Sequence, residues 1–222
     1  MSPSKKVYIV HTSLVSYQEL NDLFKELVPE AEIFNVVDDS LLHDVKANGG
    51  IQDQVISRIS HYFMAAEESG ADLIFNQCSS VGEACDIAAG LVHVPVVKVD
   101  EAMAEKAVEL GSRIGVVATV ASTMKPSCDL VRAKALAAGK DVEVVEYLEA
   151  GALDVLMKDK DQAEHNAMVL AKIREAEAEC DVIVLAQGSM TVLLPELDNI
   201  STPVLTSPRM GVERARTVLM GG

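Results

Sequence analysis

A buried strand, Asp72-Leu73-Ile74-Phe75, runs into the polar stretch Gln77-Cys78-Ser79-Ser80, and a second strand, Asp181-Val182-Ile183-Val184, runs into Ala186-Gln187-Gly188-Ser189. Counting six residues from each aspartate reaches Cys78 in one case and Gln187 in the other. A thiol at a strand-to-helix junction meets the backbone N–H groups of the helix that follows. Those amides and the helix dipole favour the thiolate, the form that attacks carbon or takes up a proton. Ser79 and Ser80 add hydroxyls, and the same donors suit a substrate carboxylate, since a helix N-terminus is an anion site. The bland alternative is that Cys78 is a small buried apolar residue, as most free cysteines are. Its polar setting favours chemistry, and a thiol at one turn with an amide at the other makes that chemistry one-sided.

Other candidates read more plainly. Cys85, Cys128 and Cys180 lie among apolar helical neighbours or at a helix end and are expected to be structural. Of the five histidines, His11 alone falls at a strand end, where a hydrogen-bonding role is favoured over acid–base work. His165, on a long helix, is expected to be solvated. Asp38 and Asp39 are expected to cap a helix starting near Ser40. The four cysteines lack zinc-type spacing, so neither a metal site nor a disulfide framework is expected. GxGxxG and GxxxxGK[ST] are both missing, which argues against nicotinamide, flavin or ATP chemistry.

The elements that must place these residues alternate between strand and helix. Val7–Val10 is a strand, 16–27 has helical spacing, 32–37 is a strand, and 51–68 is a long amphipathic helix. The Leu73 strand, a helix over 82–89 and a strand over 94–97 complete a first half. The pattern restarts after Asp100 with a helix over 102–110, a strand over 114–117, a helix over 125–138 and a strand over 142–147. A long helix over 161–179, the Val182 strand, an edge strand over 203–205 and a helix over 212–219 follow. Strands separated by helices predict parallel sheets covered on both faces. Thr12 precedes Cys78 by 66 residues and Thr119 precedes Gln187 by 68, and each loop is followed by a Pro-containing strand. These landmarks point to an internal duplication, with lobes over 1–98 plus 207–222 and over 99–206. Ligands bind beyond the carboxyl ends of parallel strands. That brings His11, Thr12 and Ser13, then Cys78, Ser79 and Ser80, then Thr119, then Gln187, Gly188 and Ser189, into one candidate site.

Composition sets the class. The chain has 222 residues, 49% hydrophobic and only 4% aromatic, with no Trp, so its core is aliphatic. A formal net charge of -15 argues against nucleic acid and anionic membranes, because both demand clustered Lys and Arg. The N-terminus, Met1 to Lys6, shows no signal-peptide core, and a cytoplasmic location is expected.

The paired loops Asn76-Gln77-Cys78-Ser79-Ser80 and Leu185-Ala186-Gln187-Gly188-Ser189-Met190, with the strand end Gly115-Val116-Val117-Ala118-Thr119, resemble the aspartate/glutamate/hydantoin racemase superfamily over nearly the whole chain. The resemblance implies an α/β fold of two pseudo-symmetric lobes, each a parallel sheet flanked by helices, with the active site in the cleft between them. It also implies racemisation without a cofactor, by two cysteines flanking the α-carbon of a small carboxylate-bearing substrate. The first cysteine falls at Cys78. The second would fall at Gln187, whose amide does not exchange protons as a thiol does but can hold an oxygen or amide. Racemisation, epimerisation or isomerisation is the expected chemistry. The alternatives are a one-thiol decarboxylase of the same superfamily, although there the surviving thiol is the second, or an inactive protein that binds small acids. A homo-oligomer is expected as well.

Overall fold

The computed structural model describes residues 4–221, leaving aside the side chain of Met157. The leader expectation rests partly on residues 1–3, which lie outside that range. The chain forms two compact units, one running to Val99 and resuming at Pro208, the other Asp100–Ser207.

In the first unit, β1 (Lys5–His11), α1 (Tyr17–Leu27), β2 (Ala31–Val37), α2 (Ser40–Asn48), α3 (Asp53–Glu68), β3 (Leu73–Asn76), α4 (Gly82–Ala89) and β4 (Val96–Lys98) succeed one another. The four strands form a parallel sheet in the order β2-β1-β3-β4. Alternation along each strand divides the core. Val7, Ile9, Leu73 and Phe75 pack on one face with Leu20 and Phe24 of α1, whereas Val10 and Ile74 pack on the other with residues of α2, α3 and α4.

The second unit repeats this plan. It contains α5 (Glu101–Leu110), β5 (Arg113–Ala118), α6 (Ala121–Ala137), β6 (Glu143–Leu148), a short turn α7 (Ala152–Asp154), α8 (Gln162–Glu177), β7 (Val182–Leu185) and β8 (Val204–Thr206). Its sheet is parallel in the order β6-β5-β7-β8, with α8 on one face and α5 and α6 on the other. The last helix, α9 (Ser207–Leu219), returns to the first unit and buries Val212, Ala215 and Leu219 beside α1. Gly211 allows this seat, since a Cβ there would lie 2.5 Å from the carbonyl oxygen of Val99.

Each sheet is closed at its amino edge by an aspartate. Asp72 accepts the Lys6 N–H at 2.8 Å, and Asp181 accepts those of Ser112 and Arg113 at 2.9 and 2.8 Å. Backbone N–H donation holds both carboxyls below the usual carboxylate range.

Three expectations need correction. α6 starts at Ala121, four residues before 125, and carries Pro126 inside. His165 is fully buried, because α8 turns it inward with Val169 and Ile173. Asp39 makes no capping bond, whereas Asp38 accepts the Ser40 N–H at 3.2 Å. Although burial pushes the other way, bonds from Ser40, Tyr62 and Arg58 hold the Asp38 carboxyl at about 2. No helix among the described residues is long and apolar enough to cross a membrane.

Candidate functional site: two strand-end turns

Because side chains alternate along β3, Asn76 and Cys78 fall on the face of Ile74, and Cys78 packs against the edge of that core. Cys78 is extended at φ -125 and ψ 119, after which the chain enters a 3-10 turn, Ser79–Val81, and then α4. Asn76 Nδ2 donates to the Cys78 carbonyl at 3.0 Å and braces the turn from beneath. Cys78 remains partly exposed, whereas Ser79 and Ser80 are buried. The other three cysteines are buried. Burial pushes the Cys128 thiol up to about 12 and raises that of Cys180.

Gln77 ties this turn to the end of β1. Its Oε1 accepts the Thr12 N–H at 3.4 Å and its Nε2 donates to Ser16 Oγ at 3.3 Å. Next to Thr12, the buried His11 has a fixed tautomer. The Tyr17 carbonyl can only accept, which orients Asn21 Nδ2 toward it at 2.7 Å. Asn21 Oδ1 then accepts from Asn35 Nδ2 at 3.0 Å, and Asn35 Oδ1 lies 2.8 Å from His11 Nε2. The ring proton therefore sits on Nε2. Nδ1 keeps a lone pair with no hydrogen-bond partner among the described residues. Burial lowers the pKa of His11, partly offset by the Asn35 bond.

The second unit carries the matching turn. Val10 lies opposite Asn76 as Val117 lies opposite Leu185, which pairs Thr12 with Thr119, Ser16 with Thr123, Gln77 with Ala186 and Cys78 with Gln187. Gln187 is extended at φ -135 and ψ 141 and opens a 3-10 stretch, Gly188–Glu196. Its Oε1 accepts the Thr119 N–H at 2.9 Å and its Nε2 lies 3.4 Å from Thr123 Oγ1. These are the two bonds that Gln77 makes, formed from one residue further along. Thr119 is buried, and Gly188 and Ser189 are half-buried.

The structure thus groups His11, Thr12 and Gln77 at one sheet's carboxyl edge, with Cys78 on the adjoining turn and Ser13 half-buried beyond Thr12. It groups Thr119 and Gln187 at the other edge. Sequence reasoning gave no role to Asn76 or Gln77; the available signal was two amides ending an otherwise apolar strand. Among the described residues, no group of three or more His, Cys, Asp or Glu side chains is placed to hold a metal ion.

No curated protein matches the chain by sequence. Solved structures resemble it at low identity and share its fold. A glutamate racemase isoform from Bacillus anthracis aligns with TM-score 0.78 and 14% identity over 99% of this chain and 83% of that one. The Picrophilus torridus aspartate racemase gives 0.73 and 14% over 98% and 94%. An allantoin racemase from Klebsiella pneumoniae gives 0.71 and 18% over 98% and 89%. The sequence profile described as Asp/Glu/Hydantoin racemase matches residues 7–215, and this chain belongs to that family.

Proposed function

We propose that this protein is a racemase- or isomerase-type enzyme that works without a cofactor and moves a proton at the carbon next to the carboxylate or carbonyl of a small acid. Cys78 is the acid–base group. The observation that carries this reading is that Cys78, of the four cysteines, is the one partly open to solvent, at the carboxyl edge of a parallel sheet in a chain of the racemase family. The thiolate accepts the α-proton and the electron pair moves onto the carboxylate or carbonyl oxygens. Backbone N–H groups of the turn and the hydroxyls of Ser79 and Ser80 meet that charge. Preorganised donors of this kind contribute about 3–4 kcal/mol each to lowering such a barrier. His11, Thr12 and Ser13 bind substrate beside the thiol, and Thr119, Gly188 and Ser189 offer the corresponding groups of the second unit. Gln187 stands where the second thiol would be and supplies no proton, because its amide is committed to Thr119 and Thr123.

With one thiol, a proton removed and returned on the same face exchanges with solvent without inversion. Exchange therefore outruns racemisation unless another group donates from the opposite face. The single thiol also favours a second reading, protonation of a carbanion formed by loss of CO2.

The test is incubation with amino, hydroxy and dicarboxylic acids in heavy water, following the α-proton by NMR and released CO2 in parallel. Deuterium uptake that disappears in Cys78→Ala supports the proposal. CO2 release that depends on Cys78 favours decarboxylation. Tight binding with neither reaction overturns both readings in favour of a binding protein.

A further inference from the structure

The first unit holds a buried cation near the Cys78 turn. Lys98 ends β4 directly opposite Asn76 of β3, and Asn76 in turn holds the Cys78 carbonyl. Val96 and Ile74 belong to the same core as Cys78, so strand alternation puts Lys98, Asn76 and Cys78 on one face of the sheet. Ordinary strand spacing and rise set the Cα atoms of Lys98 and Cys78 about 8 Å apart.

The Lys98 ammonium meets Asp86 of α4 at 2.6 Å, and the two partners differ in solvent contact: the lysine side chain is 11% exposed and the aspartate 64%. Water screens the carboxylate, whereas the ammonium acts through a medium of lower dielectric, so the pair presents net positive charge to the interior. One buried carboxylate, Asp100, lies two residues beyond Lys98 and opposes this field, so the charge that Lys98 adds is read by removing it. Arg58 of α3 is matched by Asp38 and Asp44, while Lys46 of α2 and Glu83 of α4 are exposed and screened. Asn76 Oδ1, also buried on this face, has no hydrogen-bond partner among the described residues.

We propose that Lys98 is an electrostatic positioning residue for Cys78: its ammonium, held under the turn by Asp86, favours the thiolate. The inference rests on Cys78 as the reacting group and adds the charge that keeps it ionised. A lysine that only pinned β4 to α4 would affect stability and leave the thiol unchanged.

The experiment is the pH dependence of Cys78 alkylation by iodoacetamide, read by mass spectrometry, in the parent protein and in Lys98→Met, Lys98→Arg and Asp86→Asn. Lys98→Met is expected to raise the midpoint by about one pH unit. Lys98→Arg keeps it near the parent value, and Asp86→Asn, at an exposed position, lowers it. An unmoved midpoint in Lys98→Met overturns the inference, and if Lys98→Met does not fold, Lys98→Gln is read in its place. Exchange that requires Cys78, with unmoved midpoints, sinks this inference and leaves the enzymatic reading standing. Displaced midpoints without exchange on any acid do the reverse.

Discussion

At the carboxyl edge of the first sheet the order is Gln77 then Cys78; at the second it is Ala186 then Gln187. The same two bonds, to a threonine N–H and to a hydroxyl one helical turn on, are made in both places. In the first unit the tie comes from the residue before the turn, which leaves the next position to a thiol. In the second unit the tie comes from the turn position itself, so that position has no room for chemistry. A glutamine displaced by one residue makes the same two bonds and leaves the second turn without a thiol at that position. The difference teaches that Gln187 is a structural tie, whose presence explains how a turn without a thiol keeps its shape.

The comparison can be broken most severely at Cys78. Cys78→Ala should lower α-proton exchange by about 10²–10⁴-fold, the usual worth of a positioned acid–base group, as measured by NMR in heavy water. The same comparison sharpens in Ala186→Gln combined with Gln187→Cys, which copies the first turn onto the second. Inversion of configuration, followed by chiral chromatography, should rise about 10²-fold relative to exchange. If inversion stays slow, the second turn does not serve the opposite face of the substrate.

Smaller effects follow from the ties. Gln77→Ala and Gln187→Ala each strand a buried backbone N–H, at a cost of about 1–3 kcal/mol. For a chain of this size that is about 2–4 °C in Tm per kcal/mol, read by calorimetry. Adding Ala186→Gln to Gln187→Ala should restore the loss, because the amide is then supplied as in the first unit.

The smallest effect is in pH. His11 corresponds in register to Ala118, so the first unit alone carries a buried imidazole at this place. Its folded pKa is lowered, so the unfolded chain takes up the proton first. Its contribution is fully present above the ordinary value of about 6.5 and is lost as pH falls through that value toward the depressed one. His11→Gln should flatten the decline in urea-measured stability between pH 7 and pH 5.

Much of this arrangement was legible in the sequence because it has a period. Apolar runs such as Ile114–Val117 and helical stripes such as Leu20, Leu23, Phe24 and Leu27 report which faces are buried, and the duplicated spacing aligns Cys78 with Gln187. Side-chain ties have no period. Gln77 and Gln187 sit at different positions in their turns and share partners only in three dimensions. His165 misled because a helix covered on more than one side hides a polar residue that would otherwise face water; its Nδ1 meets Asn166 Oδ1 at 3.1 Å. The start of α6 differs for another reason. Proline is at home in a first helical turn, so a start near 125 is what Pro126 suits, yet Thr123 and Met124 are buried in an extra turn before it.

The return of α9 has a consequence for synthesis. Domains generally complete themselves in the order in which they leave the ribosome. Here the amino-terminal lobe must wait with an oily flank uncovered until Val212, Ala215 and Leu219 are translated. The lobe begun second, one uninterrupted stretch from Asp100 to Ser207, has all its strands and helices in hand sooner. The half that bears the thiol is therefore the last to close.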